Sequence, residues 1–238
     1  VAGAAPTPPA VPGFVPGTGP LVRVANVSWP RSGHGLLQRL LRARLGARFG
    51  YCERYGPERV PGTPCCAAFP CRRPDIHMTK EHDGSGGADL PPGHPLIVQI
   101  RDFLPAVVSH FELFLETNPG RDTAAGFRAF ALPRAAAYRR FVAKWIDRPR
   151  DGRLILRYEN LTAAPQASLA AVLRHVGAAE EPDTAAIAAA ARITYEAGRR
   201  VRLAGHGVRA ARDIAAFRFH DAALFDELAT AALPDPRA

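Results

Sequence analysis

The segment Leu21-Val22-Arg23-Val24-Ala25-Asn26-Val27-Ser28-Trp29-Pro30-Arg31-Ser32-Gly33-His34-Gly35-Leu36-Leu37-Gln38-Arg39-Leu40-Leu41 carries two periodicities with a turn between them. An apolar, β-branched run breaks at Trp29-Pro30. Leu36, Leu37, Leu40 and Leu41 then recur at helical spacing, so strand, tight loop and helix are predicted in that order. Such a turn suits an anion. Glycines let backbone N–H groups approach the ligand, the helix N-terminus offers unpaired donors and partial positive charge, and Arg31 adds a full one. The same pattern also fits an ordinary strand-to-helix turn. The Walker A spacing, G-x-x-x-x-G-K-[ST], does not occur in the chain.

Outward from this segment, the alternation of strand and helix patterns continues. Asp75–Thr79 reads as a short strand leading into Lys80-Glu81-His82-Asp83. Leu96-Ile97-Val98-Gln99-Ile100 is a continuous apolar run, the pattern of a parallel strand buried on both faces, and Arg101-Asp102 closes it. Pro105 suits a first helical turn, followed by an apolar helix through Leu115. A longer helical region, Thr123–Ile146, is expected to break near Pro133. Leu154–Tyr158 is the next strand. Helices follow over Gln166–Val176, ending near Gly177, over about Pro182–Ala197, and over Asp221–Leu233, while Arg199–Arg212 is rich in Arg and Gly. Strands separated by helices predict an α/β fold with a central, mostly parallel sheet flanked by helices.

At 238 residues with 47% hydrophobic content, the chain can bury a full core, and one domain over residues 21–238 is expected. Val1–Pro20, rich in Pro, Gly and Ala, reads as a flexible or polyproline-like leader. Phe49–Pro74 reads as an irregular, Cys-rich insertion. Its Cys52, Cys65, Cys66 and Cys71 lack the paired knuckles of a structural zinc site; a local disulfide staple is preferred, with reduced packing cysteines as the alternative.

The net charge is +9, and of 31 basic residues only Lys80 and Lys144 are lysines. A basic protein suits an anionic ligand, but no basic run is long enough for a nucleic-acid tail, so nucleic acid is not an expected partner. No window is apolar enough for a membrane span. Val1–Pro20 lacks a basic region followed by an apolar core, and the expected location is the cytoplasm.

Three polar groups follow the predicted strands: the Arg31–Gly35 loop, Lys80 to Asp83, and Arg101 with Ser109 eight residues on. In an open α/β sheet, ligands bind at that carboxyl edge. Two arginines with hydroxyls nearby suggest a nucleotide phosphorylated at two places.

These motifs resemble those of the sulfotransferases that use 3′-phosphoadenosine 5′-phosphosulfate (PAPS). Trp29-Pro30-Arg31-Ser32-Gly33-His34 is similar to their 5′-phosphosulfate loop, P-[KR]-S-G-[TS]-[TS]. Arg101 to Ser109 is similar to their 3′-phosphate motif, R-x-P-x-x-x-x-x-S, with the proline shifted to Pro105. Lys80-Glu81-His82 resembles their K-T-H, and Tyr158-Glu159-Asn160-Leu161 their Y-E-D-L. Order and approximate spacing agree from about residue 21 to about residue 178. Their C-terminal R-K-G element has only Arg202, Gly205, Gly207 and Arg209 as stand-ins, and His34 and Gly35 replace hydroxyl residues.

The resemblance implies a P-loop NTPase-like sulfotransferase fold and transfer of a sulfuryl group from PAPS to a hydroxyl or amine. The product would be adenosine 3′,5′-bisphosphate, the acceptor a small molecule or glycan. It implies His82 as general base, Lys80 and Arg31 as charge stabilisers, and nucleotide contacts from Arg31, Ser32, Gly33, His34, Gly35, Arg101, Ser109 and Tyr158. Asp83 is a candidate to orient His82, and Glu81 an alternative base. The scheme needs no metal. A nucleotide kinase-like phosphoryl transferase and a non-catalytic nucleotide-binding relative are the rival readings.

Overall fold

The computed structural model describes residues 14–15, 18–53, 66, 68–178 and 213–233. The segment Val24–Ser28 forms β2, all five residues buried, between two parallel neighbours. Its side chains alternate between two cores. Ala25 and Val27 enter one cluster and Val24 the other, as the period of two along a strand requires. The other strands among the described residues are β1 (Phe14–Val15), β3 (Tyr51–Glu53), β4 (Met78–Glu81), β5 (Leu96–Ile100) and β6 (Arg153–Arg157). They form one sheet in the order β1-β3-β4-β2-β5-β6. Five strands are parallel; β1 pairs antiparallel with β3 at the edge.

Helices cover both faces. α1 (His34–Leu45), α4 (Tyr158–Ala163) and α5 (Pro165–His175) pack Leu37, Leu40, Leu41, Leu161, Leu169 and Leu173 against Val24, Ile97 and Leu156. α2 (Phe103–Leu115), α3 (Ala124–Val142) and α6 (Ala222–Ala232) bring Phe111, Phe127, Phe130, Phe141 and Leu228 against Ala25, Val27 and Val98. From β2 the chain leaves through α1 to β3, returns to β4, then crosses to the other side of β2 for β5 and β6. In open α/β sheets, ligands bind beside such a reversal, outside the carboxyl ends of the central strands.

Several expected elements differ from those observed. The strand placed at Asp75–Thr79 lies at Met78–Glu81, so Lys80 and Glu81 are strand residues. Tyr158 begins α4 instead of ending β6. α3 runs unbroken through Pro133, because buried side chains on both sides of it, Phe127 and Phe130 before, Tyr138 and Phe141 after, hold one continuous face to the core; a π-helical turn, Ala143–Asp147, follows. Phe14–Val15, within the expected leader, is a strand, and so is Tyr51–Glu53, within the expected irregular insertion. Cys52, Cys66 and Cys71 are not disulfide-bonded, so the disulfide staple is not formed among the described cysteines; Cys65 lies outside them. The helix expected over Pro182–Ala197 and the Arg/Gly region Arg199–Arg212 also lie outside the described residues. No described helix is long and apolar enough to cross a membrane.

Candidate functional site

The loop leaving β2 is anchored by Trp29, which is buried edge-on against Tyr138 and Phe141, with centroids 5.1 and 5.5 Å away. Beyond this anchor Arg31 takes a left-handed backbone, φ 68°, and Gly33 follows at φ 82° as the N-cap of α1. A non-glycine residue in that region costs energy and persists only when its surroundings hold it there. No side chain caps α1, which leaves its first-turn N–H groups facing the loop. A Cβ on Gly33 would lie 2.8 Å from Tyr158 Cδ2, so only glycine fits beneath that ring. Ser32 is buried, and its Oγ has no hydrogen-bond partner among the described residues.

The second edge of the site comes from the end of β5 and from α2. Arg31 Nε donates to Ser109 Oγ at 3.0 Å, bringing together two segments that are 78 residues apart in sequence. The Arg101 guanidinium lies 4.2 Å over the Tyr158 ring, and the Arg101 carbonyl accepts from the Tyr138 hydroxyl at 2.9 Å. Tyr158 thus packs on both Gly33 and Arg101. The loop, the Arg101–Ser109 segment and the start of α4 form one continuous wall.

His82 closes the site from the end of β4. Its Nδ1 lies 2.6 Å from the Ser28 carbonyl and 3.2 Å from Ser28 Oγ. A carbonyl can only accept, so Nδ1 carries the proton and the basic lone pair is on Nε2. Burial, with the Lys80 charge adding to it, pushes the His82 pKa down to about 4, against the Ser28 carbonyl and the Glu53 and Glu81 carboxylates. The ring is therefore neutral at physiological pH. Burial also lowers the Lys80 pKa, opposed by Glu53, whose Oε1 lies 3.5 Å from Nζ. His110, next to Ser109 on α2, is pushed down to about 3 by burial and by the charges of Arg134, His82 and Arg31.

Not every expected residue reaches this wall through its side chain. His34 turns into the core, where Nδ1 donates to Asn26 Oδ1 at 2.6 Å and Nε2 meets the Tyr51 hydroxyl; burial, then Lys80 and His82, hold its pKa well below the usual imidazole value. Only its backbone belongs to the loop. Asp83 does not orient His82. Its carboxylate accepts from Ala88 N at 2.7 Å, Lys144 Nζ at 2.9 Å and Trp145 Nε1 at 2.8 Å, which holds its left-handed backbone at φ 48°. Glu81 is buried and accepts from the backbone N–H groups of His82 and Asp83 at 2.9 and 3.0 Å, so it shapes the turn. Among the described residues, no group of three or more His, Cys, Asp or Glu is placed to hold a metal ion.

Sequence reasoning missed Asn26, Ser28, Tyr51 and Glu53. Asn26 and Ser28 had a signal, since two polar residues at period two in an apolar strand mark one face for hydrogen bonding. Glu53 had none: it faces Lys80 only through the pairing of β3 with β4.

No family model matches the chain, and no curated protein matches it. Among solved structures it is similar to the sulfotransferase domain from the curacin biosynthetic pathway, at 15% identity and a TM-score of 0.48, over 92% of this chain and 94% of that one.

Proposed function

We propose that this chain is a sulfotransferase that moves the sulfuryl group of PAPS to a hydroxyl or amine of a small-molecule or glycan acceptor. The observation that carries the reading is the Arg31–Ser109 contact at 3.0 Å, which joins a 5′-phosphosulfate-like loop to a 3′-phosphate-like segment beside His82. The residues present suit the nucleotide. The buried Ser32 hydroxyl, the uncapped start of α1 and the glycine cradle under Tyr158 offer neutral donors, while Arg31 and Arg101 supply charge. Arg31, Ser32 and the backbone of Gly33, His34 and Gly35 would hold the 5′ end, Arg101 and Ser109 the 3′-phosphate, and Tyr158 the base.

When bound, PAPS supplies an activated sulfuryl group, with the bisphosphate as leaving group. His82 Nε2 takes the acceptor's proton, and the imidazolium so formed keeps its Nδ1–H on the Ser28 carbonyl. Arg31 and Lys80 stabilise the negative charge that develops on the transferred group and on the leaving phosphate, preorganised by Ser109 and Glu53.

Thermal unfolding with adenosine 3′,5′-bisphosphate, compared with Mg-ATP, tests the nucleotide part of this reading. A ligand at 100 times its Kd adds about 2.7 kcal/mol, an expected rise of about 5–10 °C for a chain of this size. No rise at saturating bisphosphate overturns the PAPS reading. A rise with Mg-ATP alone moves the assignment to phosphoryl transfer.

A further inference from the structure

The chemistry above uses none of the cysteines, yet two of them are placed for a reaction of their own. Cys66 is exposed and Cys71 buried, and their sulfurs lie 3.5 Å apart. The Arg72 N–H donates to Cys66 Sγ at 3.1 Å. Burial pushes the Cys66 pKa up, but donation from the Arg72 and Ala68 amides and from the Cys71 thiol outweighs it and sets the pKa below that of an ordinary thiol. Cys71 is fixed from the other side. Its N–H donates to Thr79 Oγ1 at 2.9 Å, and its carbonyl accepts from the Arg23 guanidinium. Thr79 immediately precedes Lys80 on β4, so the pair hangs on a strand that carries the candidate site.

We propose that Cys66 and Cys71 form a reversible, peroxide-sensitive dithiol. Reactivity toward peroxide follows thiolate character and access, and among the described cysteines only Cys66 combines exposure with backbone donors to its sulfur. The Cys66 thiolate attacks one oxygen of hydrogen peroxide, the O–O bond breaks, hydroxide leaves, and Cys66 becomes a sulfenic acid. The Cys71 sulfur then attacks Cys66 Sγ, the S–O bond breaks, and the oxygen departs as water carrying the Cys71 proton. Two electrons pass from the thiol pair to the peroxide. The sulfurs close from 3.5 Å to a disulfide length of about 2.05 Å, a small movement for the exposed partner.

The test uses the whole chain carrying Cys65→Ser, which removes the adjacent thiol. After brief exposure to hydrogen peroxide, remaining thiols are alkylated and tryptic peptide 60–72, which contains both residues, is weighed. The expected peptide has lost two hydrogens and resists alkylation at both positions; dithiothreitol restores both sites. With Cys71→Ser added, Cys66 is expected to stay as a sulfenic acid that dimedone labels. With Cys66→Ser instead, Cys71 is expected to take no label. A dimedone adduct on Cys66 while Cys71 is intact, or no change in that peptide, overturns the proposal. The variant with both thiols intact carries the decisive reading, so it does not depend on the folding of the others.

Discussion

His82 takes its tautomer from the backbone of a neighbouring strand. The Ser28 carbonyl accepts from Nδ1, and the nearby carboxylate, Asp83, is committed to Lys144, Trp145 and Ala88. This separates orientation from basicity. His82→Asn keeps a nitrogen donor where Nδ1 stands and removes Nε2. The expected result is retained bisphosphate binding with transfer slowed by about 10²–10⁴-fold, read as bisphosphate released from PAPS over a panel of phenols, alcohols and amines. Unchanged release would remove His82 from the chemistry. Among the described residues, the two non-glycine residues with left-handed backbones, Arg31 and Asp83, each lie in a loop of this site. Each is pinned by side-chain contacts with distant residues, Ser109 for Arg31 and Lys144 and Trp145 for Asp83, so the cost of the backbone is met by tertiary contacts.

Elements show where local pattern prevails and where packing overrides it. Leu96–Ile100 is a strand over the expected residues, because five apolar residues buried on both faces leave little else for the segment to do. Pro133 reads as a helix breaker but lies inside α3, since the aromatic face on either side of it outweighs one lost backbone hydrogen bond. Tyr51–Glu53 is too short to show a period, and it becomes a strand by pairing with β4. The last helix depends on a local device. Asp221 caps α6 by accepting from Leu224 N at 2.8 Å, and Phe225 and Leu228 carry the helix into the main core. Asp221→Ala is expected to cost about 1 kcal/mol, a fall of about 2–4 °C in the unfolding midpoint; an unchanged midpoint would mean that α6 is held by its packing alone.

Across the whole molecule, burial of histidines sets the acid limit. His34, His82 and His110 all have lowered pKa values, chiefly through burial, with His82 at about 4 and His110 at about 3. In the unfolded chain each titrates near 6.5. Between the two values the unfolded chain binds a proton that the native one does not, so stability rises with pH there. The stability is fully present above about pH 6.5 and is lost as pH falls toward the folded values, on the order of 3 kcal/mol for His82 alone. Thermal unfolding followed from about pH 7 down to about pH 5 is expected to show a falling midpoint, and His110→Phe to flatten the slope. A midpoint that holds level over that range would contradict native-state burial of neutral histidines.

Apart from β1, β3 and α4, the order of strands and flanking helices and the loop at the end of β2 were legible in the sequence, because periodicity and turn chemistry act over a few residues. The meeting of Arg31 with Ser109, the seating of Tyr158 on Gly33 and the pairing of Lys80 with Glu53 were not. Nor was the fate of His34, which sits in an anion-binding pattern yet turns inward because Asn26 and Tyr51 offer a buried imidazole its hydrogen bonds. Strand order decides which loops become neighbours, and strand order is settled by long-range pairing: β2 lies between β4 and β5 only once residues more than fifty positions away have joined the sheet.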